Sequence, residues 1–312
     1  MILPTILALL ALSVTDPSGD AFGDGTLSPP TAPIYADTAV FDIRAVDLAA
    51  VDGGTRLSVS LGSLGLVGGD GVPDGGSAEP DGTEEQPVAD PTDPAVADDR
   101  AELVGEVPLT GFLPTVIDVY LVGAGPGFSE TLPGPDLDFP TGTAWQYAVR
   151  ITSDGAQLVA FPGAQAQPVE PRAEAASADA EAAASAGAEA GADVVDGAEP
   201  GEESGQNPEE AETVPAELGP ADMPRLALSV SRQGRDLVVY LPMTLPDDTR
   251  VQAMSGVYDP FSPTGWRPLS PTPSPWAFSG AEPQLSPVID LLAADPGAQV
   301  AAITTGVLPR QS

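Results

Sequence analysis

The 312-residue chain predicts an all-β fold, an antiparallel β-sandwich of about nine strands carrying two long disordered acidic loop insertions. Three observations carry this reading. Short runs alternate apolar and polar residues with the period of two that a strand requires. Gly (34) and Pro (36) punctuate those runs, as turns demand. No segment shows an apolar stripe at helical spacing.

Residues 38–48 alternate well enough to read as the first strand. Residues 55–61 alternate strictly, with Leu57, Val59 and Leu61 on one face. Residues 116–122 and 145–151 follow the same rule. Ser153-Asp154-Gly155-Ala156 then turns the chain into 157–161, a hairpin signal. Residues 225–232, the turn Gln233-Gly234 and residues 236–241 form a second hairpin. Residues 251–258 and 300–304 complete the set.

Two segments read differently. Residues 67–106 hold 12 acids against Arg100, and residues 164–222 hold 15 against Arg172. Neither contains an aromatic residue. Such stretches bury too little apolar surface to offset a backbone entropy of about 1–2 kcal/mol per residue. Part of the second, 172–192, is Ala/Glu-rich without an apolar stripe. Both are expected as solvated insertions, which loops tolerate at low entropic cost. The predicted organisation is one interrupted sandwich, 16–66 with 107–163 and 223–309.

The apolar run 2–14 is too short to span a bilayer as a helix and has the length of a signal-peptide core. Ala11-Leu12-Ser13 supplies a small-x-small cleavage pattern. Residues 1–15 are therefore expected to be a signal peptide and the protein to be secreted or held at the cell surface. The run lacks a basic n-region, and a buried first strand is the alternative.

Composition narrows the chemistry. The chain has no Cys and no His, which removes thiolate nucleophiles, lipid attachment at a lipobox, zinc-thiolate sites and the commonest general base. All 11 basic residues are Arg, so Schiff-base and P-loop lysines are excluded. Carboxylate-only glycoside hydrolysis is the enzyme class left open. The strands offer Asp42, Asp47, Asp118 and Asp290, but no spacing singles out a pair, and Asp290 reads as a hydrogen-bonded residue at a strand end. The expected protein is not an enzyme. A net charge of −35 disfavours nucleic acid and anionic lipid as partners.

The most informative stretch is Tyr258-Asp259-Pro260-Phe261-Ser262-Pro263-Thr264-Gly265-Trp266-Arg267, answered by Trp276-Ala277-Phe278 and Val288-Ile289-Asp290-Leu291-Leu292. It joins the opening Asp16-Pro17-Ser18-Gly19-Asp20, Ile34-Tyr35 and Val46-Asp47-Leu48. Between them stand 116–127, Leu132-Pro133-Gly134 and Trp145-Gln146-Tyr147-Ala148-Val149-Arg150. Three blocks in this order resemble the S-layer-homology-like C-terminal binding module of glucodextranase and span most of the chain outside the acidic segments. The resemblance implies a sugar-binding-type β-sandwich whose partner is a polysaccharide or cell-envelope polymer. The chain departs from the family in its longer acidic insertions, and in Val122-Gly123 where the family often has an Asp. That departure puts in doubt a metal site carried over to that position.

Candidate ligand-binding residues are Trp266, Arg267, Asp259 and Trp276. Indoles stack on sugar C–H faces, a Pro-studded loop holds them ready, and Arg267 and Asp259 are suited to hydroxyl groups. The alternative is that the indoles plug the end of the sandwich. Phe278 beside Trp276 favours packing there, while Trp266 suits either role and Trp145 reads as core. Candidate metal ligands are Asp16, Asp20 and Asp24, at four-residue spacing in a Gly-rich loop, with Asp47 closing the set. Hard oxygens so arranged suit Ca²⁺, and Asx-turns are the alternative. The leading function is an exported, non-catalytic binding module. A structural envelope protein that contacts other proteins and a carboxylate hydrolase are the alternatives.

Overall fold

Strand pairing follows the alternation closely. In the computed structural model the described residues are 11–66, 106–164, 167–168, 218–280 and 286–310. They form β1 (Ala11–Thr15), β2 (Ile43–Val51), β3 (Gly54–Leu61), β4 (Val107–Pro108), β5 (Thr115–Val122), β6 (Trp145–Thr152), β7 (Gly155–Ala160), β8 (Gln167–Pro168), β9 (Arg225–Leu228), β10 (Val230–Gln233), β11 (Asp236–Leu241), β12 (Met243–Thr244), β13 (Arg250–Val257) and β14 (Asp290–Leu291), followed by one helix, α1 (Pro296–Thr305). Two six-stranded antiparallel sheets result, ordered β1-β2-β3-β11-β10-β4 and β14-β13-β5-β6-β7-β9. β12 pairs with β8 in a separate ribbon.

The two sheets meet through their alternating faces. Val46, Leu48, Leu57, Val59, Leu237 and Val239 of the first pack on Ile117, Val119, Val149, Ile151 and Val251 of the second. All are buried. The second sheet is covered on its other face too, so every residue of β5 is buried. Val116, Tyr120, Trp145 and Met254 there meet Phe128, Leu132, Phe139, Trp266 and Ile303 from loops and α1. A third cluster, around Tyr35, Phe41, Phe278 and Ile289, fixes the N-terminal segment. The structure is therefore a sandwich with an added outer layer on one sheet, and Asp118 and Arg150 lie beneath that layer.

Three segments differ from the sequence expectation. Residues 38–41 form a 3-10 turn rather than the start of a strand, because Asp37 Oδ1 accepts the Ala39 N–H at 3.1 Å and caps it. Residues 300–304 are helical, which corrects the strand expected there. Asp295 caps the Ala298 N–H at 3.0 Å, Pro296 opens the helix, and Gly306 closes it at φ 71°. These start and stop signals outweigh a weak apolar alternation. Ala11–Thr15, given to the signal peptide on sequence, pairs along its length with β2. The expected cleavage pattern thus lies within an edge strand of the sandwich. Residues 1–10 and nearly all of both acidic segments fall outside the described residues.

The outer layer approaches β13 at a glycine. A Cβ on Gly256 would collide with the Trp266 ring and lie 3.0 Å from the Pro287 carbonyl oxygen. Gly256→Ala should lower unfolding free energy by about 1–3 kcal/mol through overpacking. A urea midpoint equal to that of the parent would contradict this.

Candidate functional site

Asp118 on β5 faces Arg150 on β6 in direct cross-strand register, and both are buried. Arg150 Nε donates to Asp118 Oδ1 and Nη2 to Oδ2, each at 2.6 Å. Both sit on the outer face of the sheet, where alternation leads polar residues to be expected in solvent. Instead the guanidinium reaches into the covering loops, donating to the carbonyl oxygens of Pro133 at 3.0 Å and Thr264 at 2.5 Å. Trp266 Nε1 donates to Asp118 Oδ2 at 3.2 Å, and so does the Tyr120 hydroxyl at 3.3 Å. That hydroxyl in turn accepts the Leu132 N–H at 3.0 Å. Burial first, then the Asp118 charge, holds the Tyr120 phenol well above its ordinary value. Burial alone would loosen the Arg150 proton, but Asp118 outweighs it and leaves the guanidinium above its usual range.

This centre positions the loop that the sequence singles out. The backbone doubles back from Tyr258 to Trp266, closed by Asp259 N–H to Gly265 O (2.9 Å) and Arg267 N–H to Val257 O (3.0 Å). Asp259 Oδ1 accepts the Phe261 N–H at 3.0 Å and lies 3.3 Å from Arg267 Nη2. The two candidate polar groups are thus paired with each other. Phe261 stands at the loop tip, 92 % exposed.

The two indoles have opposite fates. Trp266 is 2 % exposed, lying across Gly134 and Gly256 with its N–H on Asp118. Of the two roles open to it, the packing one describes its place, because the covering layer uses its area to close the core. Trp276, expected to pack, is 54 % exposed. Its loop is held by Thr31 N–H to Ser274 O (3.2 Å) and Ala32 N–H to Pro275 O (3.0 Å). Phe278 takes the buried place, edge-on to Phe41 with centroids 5.2 Å apart. Trp145 is core, as expected, and donates Nε1–H to Glu130 O at 2.7 Å.

The acids of the N-terminal loop divide. Asp16 and Asp20 each bring a carboxylate oxygen within 4.8 Å of one another and of Asp290. Asp24 turns away, its Oδ1 accepting the Thr26 N–H (2.9 Å) and hydroxyl (2.6 Å), which is the Asx-turn alternative. Asp47 alternates with the core-facing Val46 and Leu48 and points off the opposite face of β2. Neither belongs to the carboxylate group. Asp42 flanks it: its Oδ2 accepts the Gly19 N–H beside Asp20, and its charge raises the carboxyls of Asp16, Asp20 and Asp290. Burial is the largest cause throughout, pushing Asp16 up to about 7 and Asp290 well above the carboxylate range. The signal for Asp290 was present in the sequence as a lone acid inside Val288-Ile289-Asp290-Leu291-Leu292.

A fully covered Asp118 bonded to Arg150 has no access to a substrate, and the aromatic side chains at the surface offer contact rather than proton transfer. The family model for the SLH-like C-terminal binding module of glucodextranase matches residues 11–305, and the chain belongs to that family. A comparison with curated proteins gives no match. Among the described residues no helix is long and apolar enough to cross a membrane.

Arg150→Met should cost about 3–5 kcal/mol, because it strands a buried carboxylate. Arg150→Lys should recover only part, since an ammonium cannot fork across both oxygens and still reach two carbonyls. Chemical denaturation of the three proteins checks both statements, and equal midpoints for parent and Arg150→Met would contradict them.

Proposed function

We propose that the protein is an exported, non-catalytic module of the cell surface that holds carbohydrate or a cell-envelope polymer on the face carrying Trp276. The observation that carries this is the exposure of the Trp276 indole on a loop pinned by backbone hydrogen bonds to residues 31 and 32. A ring held in place by its scaffold loses little freedom on binding. Tryptophan also supplies more contact energy per residue than most side chains. Membership of a binding-module family supports the same reading. Phe261, displayed at the tip of the 258–266 loop, is a further apolar side chain at the surface.

One observation favours a structural envelope component that contacts other proteins. Burial of Trp266 leaves a single exposed indole, where a paired platform would grip a sugar chain more firmly. Retention on insoluble α-glucan, cell wall and cellulose separates the two. Trp276→Ala should reduce retention on the preferred polymer by about tenfold or more and leave the melting temperature within about 2 °C. Trp266→Ala should instead cost about 3–5 kcal/mol of stability. Undiminished retention by Trp276→Ala would remove the platform. Folded parent protein retained on none of the polymers would favour the structural reading.

A further inference from the structure

The carboxylate group at the N-terminal loop has a feature that solvated acids lack. Asp16 Oδ2, both oxygens of Asp20 and Asp42 Oδ1 are buried without a hydrogen-bond partner. The Asp42 side chain is 3 % exposed. Buried polar atoms are normally satisfied, and unpartnered ones are costly. The remaining oxygens are tied down in ways that aim the free ones. Asp16 Oδ1 accepts the Ala293 N–H (2.7 Å), and Asp42 Oδ2 accepts the Gly19 N–H (2.9 Å). Asp290 Oδ2 accepts the Ile43 N–H (2.6 Å) and its Oδ1 the Leu291 N–H (3.0 Å). Arg44 is the one cation bonded to these acids among the described residues, reaching Asp42 Oδ2 at 2.7 Å. Four carboxyl groups share one guanidinium in a dry place.

We propose that Asp16, Asp20 and Asp290, flanked by the buried Asp42, bind one Ca²⁺ ion, which clamps the N-terminal loop to both sheets of the sandwich. Oxygens 2.3–2.6 Å from a common Ca²⁺ lie within about 5 Å of each other, which the 4.8 Å grouping satisfies. An all-oxygen set excludes the metals that prefer nitrogen or sulfur. Carboxylates alone, drawn from three separated chain positions, suit the irregular coordination of calcium better than the strict octahedron and retained waters of Mg²⁺. The ion ties the end of β1 and its following loop to Asp290 at the start of β14. The same segment continues to residues 31 and 32, which hold the Trp276 loop.

Asp20→Asn is the discriminating variant, because no other residue hydrogen-bonds that carboxylate. The full-length parent, stripped with chelator, is titrated with Ca²⁺ by calorimetry in about 0.15 M salt, where exposed acids are screened. Its melting temperature is followed in parallel. Expected are one saturable site per chain and a melting temperature that climbs with Ca²⁺. Asp20→Asn should lose both responses, yet melt in chelator no lower than the parent, having shed one of the crowded acids. Absence of a saturable site and of any thermal shift in the parent overturns the proposal. So does a parent-like response in Asp20→Asn. A shift with Mg²⁺ equal to that with Ca²⁺ overturns the assignment to calcium.

Discussion

The fork of Arg150 on Asp118 is the constraint that makes this sandwich three layers deep. Sheet strands satisfy their own backbone groups, but the segments around residues 133 and 264 have no ladder to join. Arg150 gives each of them a donor, while Asp118 collects the indole and phenol that fill the space between. A buried ion pair is not in itself a source of stability, because desolvation offsets much of its attraction. Its value here lies in geometry. A guanidinium presents donors in several fixed directions, and this one uses them to set where two loops cross a sheet. The exposed ring of Phe261 follows from that placement.

The N-terminal segment meets the same problem with the opposite charge balance. Residues 16–42 contain no strand and must be held by other means. Asp16, Asp42 and Asp290 cap backbone N–H groups drawn from distant parts of the chain. Gln299 of α1 adds bonds from Nε2 to the Asp20 (2.8 Å) and Gly23 (3.0 Å) carbonyl oxygens. The helix overlooked by strand periodicity therefore serves as a strut for this loop. Irregular chain lies against the sandwich wherever a buried polar side chain receives it.

Alternation made most of the two sheets legible, since core-facing residues such as Leu57, Val59 and Leu61 repeat every second position. It also misled at Asp118 and Arg150, because a period of two separates the faces of a strand without saying whether a face is wet. Trp266 suited either role and Trp276 read as packed for a related reason: both lie in Pro-rich loop sequence, and only the covering layer decides which ring it absorbs. Two acids of the candidate group, Asp16 and Asp20, were visible through local spacing. Asp290 stood out only as a lone acid in an apolar run, and its place beside them, like that of Asp42, arises through pairing between residues far apart in sequence.

The bond from Ile43 N–H to Asp290 spans 247 positions, and β3 meets β11 only after both acidic segments have passed. Sequence-distant closure of this kind slows folding, because loop entropy is lost before contacts reward it. Residues 16–42 find their full set of partners only once residues 289–299 have been made. A chain built from its N-terminal side thus carries this segment unsealed until β14 and α1 follow, and that strand and helix act as the latch that seals it.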